Sequence, residues 1–151
     1  MIDQRIYLDT SILSAINDSR EPEKARDTRA FLKQLKEENI YISTLVRSEL
    51  NKITDPKRLI EINDMARSMQ LLEITEEAEK CAGFYIKHGL IPRTELADAT
   101  HLACATINEI QLLASWNYKH IVKWFKTKHL ITGLNILQGY NNIDIVSPWE
   151  F

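Results

Sequence analysis

Four oxygen-bearing side chains, remote from one another along the chain, fall beside signals for the carboxyl ends of short strands. Asp9 closes the β-rich run Arg5-Ile6-Tyr7-Leu8. Glu49 comes within about two turns of the start of the helical pattern that follows Ile40-Tyr41-Ile42-Ser43. Asp98 stands near the start of an apolar helical stretch, 94–110, and Asn117 comes just after Gln111-Leu112-Leu113-Ala114-Ser115. Carboxylates gathered at one place raise each other's pKa unless a cation lies between them. Oxygen ligands suit hard divalent ions such as Mg2+ or Mn2+, which polarise a phosphate and activate water. The chemistry this set points to is hydrolysis of a phosphodiester.

Bringing the four together requires a sheet whose strands all end at one edge. The pattern supplies it. Strands are predicted at 5–8, 40–43, 71–74, 111–115 and 143–146, with helices between them. Glu21-Pro22 and Asp55-Pro56 open helices, because proline suits the first helical position. Thr44 and Thr75 are expected caps, Gly89 suits the residue beyond a helix end, and a helix after Trp116-Asn117 is expected to run to about Leu130. Alternation of short apolar strands with helices means a parallel sheet covered on its faces, joined by right-handed crossovers. Ligands collect at the carboxyl edge of such a sheet, where helix N-termini also help to hold phosphate.

The stretch 94–110 is expected to pack on both sides. Leu96, Thr100, Ala103, Ile107 and Ile110 recur on one face, with Leu102 and Ala105 opposite. A carboxylate in such a helix is costly unless it is paired or bound to a metal, so Asp98 needs a partner. His101 reads as a satisfied helix histidine rather than a ligand, since no second His or Cys has ligand spacing to it. Thr10 is expected to bond to backbone at a helix start.

The chain has 151 residues and a net charge of −2, so one domain over 1–151 is expected and a bulk basic footprint is excluded. Any nucleic-acid contact must be local. The span between Glu109 and Asp144 has no acid and carries Lys119, Lys123, Lys126, Lys128, His120 and His129, with Trp116 and Trp124. Such a patch suits phosphates and stacked bases, and equally a solvated lysine-rich helix face. Cys81 and Cys104 have no metal or redox spacing and read as reduced packing residues. With no signal core and no membrane-length apolar run, the expected location is the cytoplasm and no membrane contact is expected.

Four stretches together carry a family resemblance: Tyr7-Leu8-Asp9-Thr10-Ser11, Ser43-Thr44-Leu45-Val46-Arg47-Ser48-Glu49-Leu50, Asp98-Ala99-Thr100-His101-Leu102-Ala103-Cys104-Ala105 and Leu112-Leu113-Ala114-Ser115-Trp116-Asn117. In this order the chain resembles PIN-domain ribonucleases, above all the toxins of VapBC-type toxin–antitoxin pairs. The resemblance implies a three-layer α/β/α fold with a central, mostly parallel sheet of four to five strands. It places Mg2+ or Mn2+ binding on Asp9, Glu49 and Asp98, with water-mediated RNA cleavage that leaves a 5′-phosphate. Ser11 matches a hydroxyl that supports the first acid or the substrate. Asn117 stands where many members carry a fourth acid, so an amide oxygen replaces a charge there, and Glu95 lies one turn before Asp98. Lys119 and His120 are candidate substrate contacts. A small antitoxin over the acidic edge and a homodimer are also implied. Two other readings stand beside this one. Asn117 motivates a catalytically silent module that binds RNA or protein. A phosphatase with Asp9 as nucleophile fits less well, because Asp9-Thr10-Ser11 lacks the second acid two residues on.

Overall fold

A computed structural model describes residues 2–117 and 124–150, and the side chains of 124–128 are outside that description. Lys119, His120 and Lys123 therefore lie outside the described residues, as do the side chains of Trp124, Lys126 and Lys128. Five strands form one parallel sheet: β1 (Ile6–Leu8), β2 (Ile40–Ser43), β3 (Gln70–Leu72), β4 (Leu112–Ala114) and β5 (Asp144–Val146). Their spatial order is β3-β2-β1-β4-β5. The central strand β1 is buried at every position, as expected for a strand covered on both faces.

Seven helices flank the sheet among the described residues: α1 (Thr10–Ala15), α2 (Pro22–Leu32), α3 (Thr44–Leu50), α4 (Pro56–Ala66), α5 (Glu76–Lys87), α6 (Leu96–Ile107) and α7 (Trp124–Gln138). None is long and apolar enough to cross a membrane. The α/β fold with a parallel sheet expected from the alternation is the one observed.

Local chemistry fixes most boundaries. Asp55 caps α4 by accepting from Lys57 and Arg58 N–H, and Thr75 caps α5 by accepting from Ala78 N–H. Gly89 ends α5 at φ 75°, while Leu90 N–H returns to the Tyr85 carbonyl. Three expectations change. Ser43, not Thr44, caps α3, because its extended backbone lets its hydroxyl accept from Val46 N–H. Helix α7 continues past Leu130 to Gln138 and closes at Gly139, φ 78°. Leu96 is 57% exposed, because it sits at the first turn of α6, ahead of the part that enters the core.

The body of α6 is packed all round: Ala99 and every residue from His101 to Thr106 are buried. Helix α5 covers one side of it. Cys81 and Cys104 are buried free thiols, and burial pushes the Cys104 thiol up to about 12.

Candidate active site

Strand β1 ends at Leu8, and the chain turns into α1 at Asp9, whose carboxylate caps that helix. The side chain is 2% exposed. Its Oδ1 accepts from the Ser11 backbone N–H at 3.0 Å and from the Ser11 hydroxyl at 2.5 Å. Its Oδ2 accepts from the Ser115 hydroxyl, which comes from the residue after β4. Ser11 Oγ and Ser115 Oγ are 3.2 Å apart. They in turn accept the backbone N–H groups of Trp116 and Asn117, at 2.8 and 3.0 Å. Neutral hydroxyls thus relay two backbone donors onto one buried carboxylate. Burial still raises the Asp9 pKa above its ordinary value, against the pull of these donors.

Helix α3 brings in Glu49. Its Oε1 lies 2.6 Å from His101 Nε2 and accepts from the Thr10 hydroxyl at 2.7 Å. The Thr10 bond replaces the backbone role expected for it. The hydrogen bond from His101 holds the Glu49 carboxyl below its usual range, against partial burial. His101 is itself buried and bonded at both ring nitrogens, as expected of a satisfied helix histidine.

Asp98 lies in the first turn of α6, half-buried. Burial raises its pKa, and the charge of Asp9 raises it further, with smaller contributions from Glu95 and Glu49. Asp98 is thus the carboxylate that feels the charge of the other acids, with Glu95 one turn earlier among them. Among the described residues, neither Asp98 nor Oε2 of Glu49 takes part in a hydrogen bond. Asn117 is exposed just beyond Ser115 at the same edge. Among the described residues no three His, Cys, Asp or Glu side chains are close enough to hold one metal ion together. The donor set nonetheless suits a hard cation: carboxylates predominate, and among the described residues Oε2 of Glu49 and the carboxylate of Asp98 take part in no hydrogen bond.

A cavity of about 680 Å³ lies between α3, α5 and α6, with Thr44, Ser48, Glu79, Ala97 and Thr100 among its lining residues; Asp9, Glu49 and Asp98 do not line it.

A family model for the PIN domain matches residues 6–120, a span that holds all of these side chains. The chain belongs to the PIN domain family. Solved PIN-fold neighbours share its backbone at low identity. VapC20 of Mycobacterium tuberculosis, described as a sarcin-ricin loop cleaving toxin, superposes with a TM-score of 0.61 at 17% identity, over 78% of this chain and 94% of that one. FitAcB of Neisseria gonorrhoeae gives 0.64 at 16% identity, over 97% and 99%. VapBC2 of Rickettsia felis, solved with a fragment of promoter DNA, gives 0.56 at 15% identity, over 94% and 98%. A search of curated protein sequences gives no match.

Residue reading missed three participants in this PIN-domain site. Ser115, Tyr7 and Ser43 are neutral, and their partners lie 36 to 106 positions away. Only the order of the strands brings them together.

Proposed function

We propose that the chain is a metal-dependent endoribonuclease, the toxin of a toxin–antitoxin pair. The supporting observation is the placement of Asp9, Glu49 and Asp98 beside one sheet edge, at the start of α1, on α3 and in the first turn of α6; burial raises the Asp98 pKa and the charge of Asp9 adds to that. Mg2+ or Mn2+ would supply a Lewis acid for a phosphate oxygen and help to activate water. Asp9 and Asp98 would hold the ion. Glu49 would hold it or orient the attacking water through Oε2. Asn117 would complete the shell with its amide oxygen. Ser11 keeps Asp9 in place, while Lys119 and His120 bind the RNA backbone. Attack on phosphorus leaves a 5′-phosphate on the product.

The description of VapC20 as a toxin that cleaves the sarcin-ricin loop supports RNA as the substrate. The toxin–antitoxin complex from Klebsiella pneumoniae and the DNA-bound VapBC of Salmonella typhimurium support a small antitoxin partner. That partner covers the acidic edge of a homodimer in this reading.

The test is cleavage of end-labelled RNA in Mn2+ or Mg2+. Wild type should cut and yield 5′-phosphate ends, and folded Asp98→Asn should not. Full cleavage by folded Asp98→Asn would sink the assignment of this site.

One observation favours a second reading. An exposed amide, Asn117, stands where a carboxylate would add charge. A catalytically silent RNA- or protein-binding module would keep the fold and show no cleavage with either ion.

A further inference from the structure

Glu49 ends a buried chain of hydrogen bonds that starts at the backbone. Val46 N–H donates to Ser43 Oγ at 3.3 Å. Ser43 Oγ lies 2.7 Å from Tyr7 Oη, and Tyr7 Oη lies 2.7 Å from His101 Nδ1. His101 Nε2 then lies 2.6 Å from Glu49 Oε1. The chain crosses β1, β2, α3 and α6. Tyr7 and Ser43 have no exposed surface, and His101 has 2%.

Counting protons gives this chain a direction. Ser43 Oγ accepts from Val46 N–H, and among the bonds of the described residues the acceptor for its own proton is Tyr7 Oη. The tyrosine proton then goes to Nδ1, which must accept. The ring proton therefore sits on Nε2 and points at the Glu49 carboxylate. The opposite neutral tautomer would set the Nε2 lone pair against a carboxylate oxygen at 2.6 Å. A doubly protonated ring would turn the tyrosine proton towards Ser43. The Ser43 proton would then have no acceptor among the bonds of the described residues.

The geometry points to Tyr7 and His101 as positioning residues that hold Glu49 by Oε1 and present Oε2 to the substrate edge. This rests on the nuclease reading for what Oε2 does. Glutamate has three rotatable side-chain bonds, and a functional carboxylate must be held within a fraction of an ångström of its working place. Two donors on one oxygen achieve this: Nε2–H of His101 from one side and the Thr10 hydroxyl from the other. Both hydrogen bonds of Glu49 among the described residues fall on Oε1, so the same contacts that fix the side chain leave its second oxygen for chemistry.

The variants that test this are Tyr7→Phe, His101→Gln and His101→Leu. Tyr7→Phe keeps the ring and removes only the hydroxyl. His101→Gln keeps an N–H donor for Glu49, whereas His101→Leu keeps none. Nitrogen NMR of the wild-type imidazole, without added metal, should show the proton on Nε2 alone. In RNA cleavage, Tyr7→Phe and His101→Leu should lower kcat about 10- to 100-fold with KM for RNA unchanged, the usual range for groups that orient a ligand. His101→Gln should recover much of that loss. A wild-type proton on Nδ1 would overturn the proposal, and so would wild-type kcat in folded His101→Leu. If wild type cuts no RNA, the nuclease reading fails by itself. The imidazole spectrum and the Mn2+ affinity of the same variants then decide the positioning role: affinity unchanged in folded His101→Leu would overturn it.

Discussion

The Ser115 hydroxyl donates to Oδ2 of Asp9 and so fastens the end of β4 to the end of β1. With Ser11 on Oδ1, both oxygens of the buried carboxylate are fixed. Ser115→Ala leaves Oδ2 buried without its donor, which costs about 1–3 kcal/mol. The Asp9 pKa should rise further, because a bond that lowers it is gone. Urea unfolding of Ser115→Ala against wild type measures the loss, and equal midpoints would mean that the bond contributes nothing.

Asp98 binds its proton more tightly in the folded protein than its ordinary value of 3.8 implies. A raised acid pKa carries no penalty below the ordinary value. Stability then falls as pH rises from there through the raised value. Glu49 has the opposite shift, so its contribution is present above its ordinary 4.5 and is lost as pH falls through the lowered value. Asp98→Asn removes the first effect and leaves the second. Without metal, Asp98→Asn should melt above wild type, with a gap that opens as pH rises from about 4 towards neutrality. Melting curves across that range check it. A gap that does not change with pH would contradict the raised pKa of Asp98.

Tyr85 tests the other side of α6. Its buried hydroxyl lies 3.1 Å from Thr106 Oγ1 and donates to Asn135 Oδ1 at 2.5 Å. Asn135 in turn donates to the Asn141 carbonyl at 3.0 Å. Tyr85→Phe should cost about 1–3 kcal/mol, since it leaves a buried amide oxygen without a donor. RNA cleavage should be unaffected, because none of these groups touches the acids.

The same asparagine shows where sequence reading stops. The sequence predicts a helix only to about Leu130, and α7 runs on to Gln138. In the added turns Asn135, a buried polar residue, is satisfied by Tyr85 and Asn141, partners that are remote or lie beyond the helix end. Capping was easier to read. Asp55-Pro56, Thr75 and Gly89 act on neighbours within a few residues, and their roles follow from local backbone chemistry. Asp98 is legible because a carboxylate in an apolar helix is expensive, and Asp9 and Glu49 because they follow the ends of two strand signals. Ser115, Tyr7 and Ser43 carry no charge and did not stand out, although they hold two of the acids in place. Leu96 continued a helical stripe that in space begins one turn later.

Asn117 is the position where added charge should help. It is exposed, so Asn117→Asp should change stability by no more than about 0.5 kcal/mol. A fourth carboxylate at this edge should tighten Mn2+ binding several-fold and raise cleavage at low Mn2+. Unchanged affinity would remove Asn117 from the shell.

The claim on which the rest depends is that the carboxyl edge binds a divalent cation. Calorimetric titration of Mn2+ into the wild-type protein at neutral pH tests it without any RNA. Saturable binding is expected in wild type, and loss of that binding is expected in folded Asp9→Asn and in folded Asp98→Asn. Heats of dilution alone from folded wild type would contradict the claim and leave the silent binding module in its place.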